Sequence, residues 1–408
     1  MKLTNIRDLS SLALLRIVLT ILACLALAWK VVAAGLAAQA GQVQNPQLMA
    51  VFADKKYPDT AAKMAQFLFS TKDYATASET AHAAVLGSPL NIRAVRVYGL
   101  ALEREGERES AARVLRRAQT MGWRDTPVLV WGLQDAAVRE DANRVVIIAD
   151  ALARRQVLPN ITRTVFFGSL IEPQLRRPFI NSLAARPSWR PTFFNDLSAY
   201  LTVPQSAGME AVLSGLRKTK APPTPDETLK YVSRLADLGE YRRARSFWAR
   251  AFDISPGQLA DIPFDGRFVR AGRRAAGTPA GPFEWQSNSD LGDEAVFTTD
   301  TKNAILTVEP GVPAGTTILS QTVLFAPGAH QMRTIIAQGT GVSAPVGWTI
   351  ICLPSNQSLL RTLRDANDEL SHVGFIVPEK GCSAQSLRLN ARDQLDSQAV
   401  SISAVSAQ

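Results

Sequence analysis

Chemistry in a protein needs groups that move protons, attack carbon or hold metal, and this chain offers few of them at usable spacing. Its 408 residues include three cysteines and three histidines. Cys352 and Cys382 each stand beside an alternating apolar run, in "GWTIIC" and "GCSAQSLRLN". Such a pair is a redox couple, a set of metal ligands or a structural clip, and the compartment decides among the three. A CxxC redox motif is absent, and His82, His330 and His372 lie at no spacing that would complete a zinc site. No GxSxG, HExxH or P-loop sequence occurs, and the Gly-rich "GTGVSAPVG" lacks the lysine that would reach a phosphate. No Ser-His-Asp or Cys-His set stands out. A carboxylate pair for glycoside cleavage is defined by its separation in space. Asp265, Glu284, Asp290, Asp293 and Glu294 are the acids that cluster in sequence, and solvated surface acids are the commoner reading of such a cluster. The chain is therefore expected to have no catalytic residue, no metal and no cofactor.

The compartment is indicated at the N-terminus. Lys2 and Arg7 precede an apolar stretch that runs from Leu12 to Ala38, interrupted by Arg16 and Lys30. A bilayer needs about 20 such residues, and Lys30 can reach an interface along its own stem. The excess of Lys and Arg before the apolar centre directs the rest of the chain outward. "AQA" at Ala38–Ala40 has the small-x-small form of a signal cleavage site. Lys30 directly after the apolar run, and the distance to that site, favour a retained anchor. Either way Gly41–Gln408 is exported; a buried cytosolic helix is the bland alternative. The expectation is a single-pass bacterial inner-membrane protein with its bulk in the periplasm. Cys24 then lies in the membrane segment, and Cys352 and Cys382 are left in an oxidising space where disulfides persist. They are expected to form a structural disulfide, and closing that loop contributes about 3–4 kcal/mol before strain.

Charge divides the chain. Its net charge is +9, yet residues 281–408 carry 7 Lys/Arg against 12 Asp/Glu, so the preceding residues hold the whole positive excess. The basic part could approach anionic lipid headgroups or an acidic polymer. Nucleic acid is not expected as a partner on the exported side.

From Val51 to about Ser255 the sequence reads as helices with a repeat. Ala77, Ala81, Ala84 and Pro89 are followed 34 residues later by Ala111, Leu115 and Ala118. Ala65 and Leu68 match Gly99 and Leu102, and a weaker third copy holds Val145, Ala149 and Leu152. A detached copy carries Val232, Leu235, Gly239, Tyr241, Ala244, Trp248, Ala251 and Pro256, with Gly106 in the place of Gly239 and Tyr74 in that of Tyr241. This pattern resembles the tetratricopeptide repeat, a helix–turn–helix unit, which implies a solenoid that binds a protein or peptide. An unrelated Ala-rich helical bundle is the alternative. Arg93, Arg96, Arg113, Arg116, Arg117 and Arg124 are candidates for a binding face, or are solvated charges paired with Glu103, Glu105, Glu107 and Glu109. Residues 158–225 show no readable period, and "KAPPTP" within 218–226 reads as a linker.

After Asp261 the composition changes to short alternating runs between Gly, Pro and Asn turns, the pattern of an antiparallel sandwich or barrel. "PFDGRF" at 263–268, "GPFEW" at 281–285, "SQTVLFAPGAH" at 320–330, "GWTIIC" at 347–352 and "FIVPEKGCSAQSLRL" at 375–389 follow in order. Over roughly residues 226–408 this resembles bacterial tetratricopeptide proteins encoded among exopolysaccharide genes. The resemblance implies a jelly-roll domain similar to carbohydrate-binding modules, with the cysteines of its W.I.C and C..Q segments paired. It implies no established reaction. His330 stands where the family pattern has an aromatic residue.

Sugar recognition needs flat aromatic faces with amide and carboxylate neighbours. Trp285 and Trp348 are the candidate faces, and Glu284 and Gln321 the candidate polar partners; Asn288 and Asp290 lie near in sequence. The competing reading puts both tryptophans in the core. The expected organisation is a membrane segment over 1–40, an α-helical repeat domain over 48–260 with a linker near 218–226, and a β-sandwich over 261–408. The expected role is a periplasmic scaffold for exopolysaccharide biosynthesis or export, holding a protein partner on its repeats and a glycan on its sandwich. A polysaccharide lyase or hydrolase, and a structural envelope protein without sugar binding, are the alternatives.

Overall fold

A computed structural model describes residues 11–43, 45–275, 278–288, 290–291, 295–299, 304–338, 346–359, 371–391 and 399–408. The chain forms an N-terminal apolar helix, a repeat-like helical region and a C-terminal pair of antiparallel sheets. It divides into two compact units, residues 1–162 and 163–408.

Unit 1 begins with α1 (Ser11–Val43), whose stretch Leu15–Val43 is long and apolar enough to cross a membrane and is exposed from Leu15 to Val32. Its last turns are different. Ala33, Ala37 and Ala40, one helical face, are buried. A short helix α2 (Pro46–Val51) follows, capped by the side chain of Asn45. Against the alanine face of α1 lies α3 (Pro58–Ser70): Thr60 Oγ1 donates to Ala37 O at 2.9 Å and Lys63 Nζ to Gly41 O at 3.1 Å. The "AQA" segment is therefore the interior of a packed helix.

Antiparallel helices continue as α4 (Tyr74–Gly87), α5 (Ile92–Arg104), α6 (Arg108–Thr120), α7 (Thr126–Val138) and α8 (Ala142–Arg154). Asp73, Asn91, Asp125 and Asp141 each cap the following helix by accepting a backbone N–H. The 34-residue period is written in the backbone. Lys72, Gly106 and Glu140, each 34 positions after the last, all take positive φ in the turn inside a helix pair (68°, 90° and 55°). The third copy, faint in side chains, thus makes the same turn with a residue less suited to it than glycine. Small residues set the spacing: a Cβ on Gly99 would sit 2.5 Å from Leu115.

Helix α9 (Pro159–Ile171) leads into unit 2. There α10 (Pro173–Ala184), α11 (Arg190–Tyr200) and α12 (Ser206–Arg217) precede the detached copy, α13 (Pro225–Asp237) and α14 (Tyr241–Ala251). Here α10 packs on α12, and α11 on α13. Skipped-neighbour packing explains why residues 158–225 show no simple period. An aromatic cluster fills the space, with Phe166 stacked on Trp189 at 4.2 Å and Phe193 edge-on to Phe179 at 5.0 Å.

Residues 218–226 are not a free linker. Arg190, itself buried, donates to Ala221 O and Pro222 O and holds Glu227 by two bonds of 2.7 Å. Thr224 and Glu227 then close a capping box at the start of α13. The prolines fix the path, and the arginine pins it.

Short helices α15 (Pro256–Ala260) and α16 (Val269–Arg273) lead into the sheets. The strands are β1 (Gln286–Ser287), β2 (Ala295–Thr299), β3 (Ala304–Val308), β4 (Thr317–Val323), β5 (Gly328–Gln338), β6 (Val346–Pro354), β7 (His372–Val377), β8 (Cys382–Ala391) and β9 (Val400–Ala407). One sheet has the order β1-β4-β8-β6 and the other β2-β3-β9-β5-β7, with every pairing antiparallel. After the β2–β3 hairpin, successive strands from β3 to β9 fall alternately in the two sheets, which is jelly-roll winding. Leu306, Ile318, Ile350, Leu387, Leu389 and Ile402 meet between the sheets, fully buried.

The Arg190–Glu227 pair is buried on both sides, so removing one partner strands a charge. Arg190→Met should cost about 3–5 kcal/mol in urea unfolding. Arg190→Met combined with Glu227→Leu should recover a large part of that loss. A single substitution costing under about 1 kcal/mol would contradict the pairing as described.

Candidate functional site

The residues proposed to touch sugar are inside the protein. Trp285 and Trp348 are 1% and 2% exposed, tilted against each other in the sandwich core at 6.0 Å. Trp285 Nε1 donates to Asp265 O at 3.0 Å, and Trp348 Nε1 to Thr334 Oγ1 at 2.9 Å. Both indoles thus have their polar edge satisfied and their faces covered, and neither can stack on a glycan. A two-sheet core about 10 Å thick is best filled by side chains of this size.

Glu284 and Gln321 are also buried, and each holds the segment that enters the sandwich. Glu284 faces Arg270 at 3.1 Å and Arg274 at 3.5 Å, and its Oε2 accepts the Gly281 N–H at 3.0 Å. Gln321 Nε2 donates to Phe264 O at 2.9 Å. Asp265 accepts the N–H groups of Arg270 and Ala271 at the start of α16. Burial holds its carboxyl above the usual carboxylate range, opposed by those backbone bonds. Glu284 and Asp265 therefore serve structure. Asp290 is exposed, and Asp293 and Glu294 lie outside the described residues. Among the described residues no group of three or more His, Cys, Asp or Glu could hold a metal.

Cys352 and Cys382 are bonded, with Cα atoms 4.8 Å apart, joining the end of β6 to the start of β8. Beside them Gln385, fully buried, accepts the Phe325 N–H at 2.8 Å and donates to Cys382 O at 3.4 Å. This gives the "C..Q" spacing its reason: the amide ties the loop after β4 to the disulfide. His330 keeps the packing expected of an aromatic residue, lying over Phe325 at 4.9 Å and Phe375 at 5.6 Å.

What the sandwich does present is a groove of about 980 Å3 beside β5 and β7, lined by His330, Gln331, Gln357, Phe375, Ile376 and Gln408 among others. Residues 357–359 form its other wall, held to β6 by Cys352 N–H to Gln357 O and Leu359 N–H to Ile350 O. Gln331 and Gln408 bond each other through their backbones in both directions, leaving their side-chain amides as polar groups of the groove. No local sequence pattern announces this groove, because its lining comes from four separate stretches, 329–331, 357–359, 374–378 and 408, and contains no tryptophan.

On the repeats, the arginines do more than solvate a face. Arg96 reaches Asp125 at 2.6 Å and Gln66 at 3.0 Å, and Arg116 forms a two-bond pair with Asp135. Those bonds join one helix pair to the next. The acids anticipated for this pairing, Glu103, Glu105, Glu107 and Glu109, are not the ones used here; Glu103 instead accepts the Trp131 indole N–H at 3.0 Å. Asp135 is held below the usual carboxylate range by its bond to Arg116. Arg93, Arg113, Arg117 and Arg124 are exposed.

No protein-family model matches the chain, and no curated protein matches it. Among solved structures, PilW, described as a widely conserved type IV pilus biogenesis factor, is similar at 16% identity. That match covers 49% of this chain and 95% of PilW, with a TM-score of 0.25.

Two substitutions separate packing from recognition. Trp348→Phe should lower stability by about 1–3 kcal/mol, by opening space and leaving the Thr334 hydroxyl without its donor. Replacing both cysteines by alanine should cost a further amount on the order of 3–4 kcal/mol. Chemical denaturation of the full chain measures both, and a Trp348→Phe variant as stable as the parent would contradict the core assignment.

Proposed function

We propose that this chain is a single-pass inner-membrane protein, exported beyond α1, that acts as a scaffold. The observation that carries this reading is the continuity of α1, apolar and uncovered over most of its length, then packed by its last turns onto the first repeat. The disulfide fits an oxidising periplasm. The helix pairs fit recruitment of a protein partner. Participation in exopolysaccharide assembly or export rests on the resemblance of the segments from "PFDGRF" to "FIVPEKGCSAQSLRL". The role proposed is non-enzymatic.

The proposed glycan contact belongs to the groove beside β7, where amide side chains line a concave surface. This replaces the tryptophan site.

Photo-crosslinking from native membranes tests the scaffold. A photoreactive residue at Arg93 or Arg117 should give a discrete protein adduct, and one at Ser403 should not. Failure to obtain any adduct from the repeats would sink the scaffold reading. Retention of the full chain on the host's polysaccharide should fall in Gln331→Ala/Gln408→Ala and persist in a Cys24→Ser control. Release of shortened polymer by the purified protein would favour the lyase or hydrolase reading instead.

A further inference from the structure

The contacts in unit 1 fix which end of the helix stack faces the membrane. Thr60 meets Ala37 and Lys63 meets Gly41, so α3 runs parallel to α1, away from the bilayer. The start of α3 is therefore its membrane-proximal end. Helix α4 runs back, and Gly87 at its end abuts the backbone of Lys55 so closely that a Cβ would clash. Asn91 donates to Asp59 at 2.7 Å, which sets the turn between α4 and α5 at the same level. Arg155 donates to Trp123 O, setting the turn after α8 beside the turn after α6. One row of turns, 52–57, 88–91, 121–125 and 155–158, thus lies at one end of the stack, and the turns 71–73, 105–107 and 139–141 lie at the other.

The two ends differ in chemistry. The far turns carry Asp73, Glu105, Glu107, Glu140 and Asp141 against Lys72 and Arg139. The near turns carry Lys55, Lys56, Arg124 and Arg155, all exposed, against Asp54 and Asp125. Asp125 is engaged by Arg96, and Asp54 accepts the Lys56 N–H. Apolar side chains sit among the near cations. Leu86 is 65% exposed, Leu90 77% and Trp123 41%. Cations, leucines and a half-exposed tryptophan together suit an anionic headgroup layer and the acyl boundary beneath it. The part of α1 before Ala33 is about 33 Å long, close to a bilayer core of about 30 Å. No length of α1 is left over to lift the stack away.

We infer that the near end of the helix stack rests on the anionic lipid surface of the membrane that α1 spans, through Lys55, Lys56, Leu86, Leu90, Trp123 and Arg124. This rests on the membrane-spanning reading of α1 and adds to it a second, peripheral contact. It orients the stack, with its acidic end pointing outward.

The test uses the full chain with Cys24→Ser, spin-labelled at Leu90→Cys or at Glu107→Cys, in nanodiscs. The discs are phosphatidylglycerol with phosphatidylcholine, or phosphatidylcholine alone. Collision with a water-soluble nickel chelate should be several-fold lower at position 90 than at 107 in the anionic discs. Charge reversal at Lys55, Lys56, Arg124 and Arg155 to glutamate should abolish that difference. Equal accessibility at the two positions in anionic discs, in protein that resists carbonate extraction from vesicles, would overturn this inference and leave the anchor standing. Protection at 90 that survives charge reversal, or is as strong in phosphatidylcholine alone, would overturn its electrostatic basis. Protein that carbonate removes would overturn both.

Discussion

Unit 2 depends on the burial of one indole. Trp248 is fully buried, edge-on to Phe264 at 4.9 Å and tilted against Phe283 at 5.8 Å. Gly281 lets Leu229 approach the same place, since a Cβ there would stand 2.7 Å from it. The tryptophan belongs to the last helix pair, and the phenylalanines to "PFDGRF" and "GPFEW". Once those rings are buried, the backbone that carries them must find hydrogen-bond partners away from water. It finds them in the sandwich: Val405 N–H bonds Gly266 O at 2.7 Å, Ala407 N–H bonds Ile262 O at 2.8 Å and Thr322 N–H bonds Pro282 O at 2.7 Å. Apolar packing thus joins the last helix pair to the sheets, and the polar bonds follow from it. The buried Glu284 is tolerated for the same reason, because two arginines and a backbone N–H surround it.

This explains which parts were legible in the sequence. Period and alternation carried the helices and the strands, because each element buries one face and its spacing shows in the chain. The cysteine pair was legible from strand context and from the compartment that the apolar N-terminus led one to expect. The tryptophans were not, because a flat ring between strands has the same sequence signature whether it faces a sugar or another tryptophan. Gln385 and Arg190 were invisible for a different reason. Each satisfies backbone groups 30 to 60 positions away, and no local pattern announces such a bond. The run "KAPPTP" reads as a linker from proline content alone, whereas its carbonyls are acceptors for Arg190.

In unit 1 the sequence shows the arginines but not their division of labour. Arg96 and Arg116 stitch helix pairs together. Others, with Lys55 and Lys56, gather at one end only because antiparallel helices bring every second turn to the same level. Charge that looks evenly spread along the chain becomes polar in space through that alternation alone.

The place of β9 sets the order of events in making this protein. Val400–Ala407 lies between β3 and β5, at the centre of its sheet, and pairs Ile402 with both Leu306 and Ile336. Until those late residues are synthesised, β3 and β5 have no common neighbour, and the centre of their sheet is missing. The five-stranded sheet cannot assemble strand by strand as the chain emerges. The β2–β3 and β5–β7 pairs can form earlier, but the two halves join only through β9, in a late step whose long loops make it slow. A delay of that kind suits the export proposed for this chain, since a domain that cannot close early stays threadable.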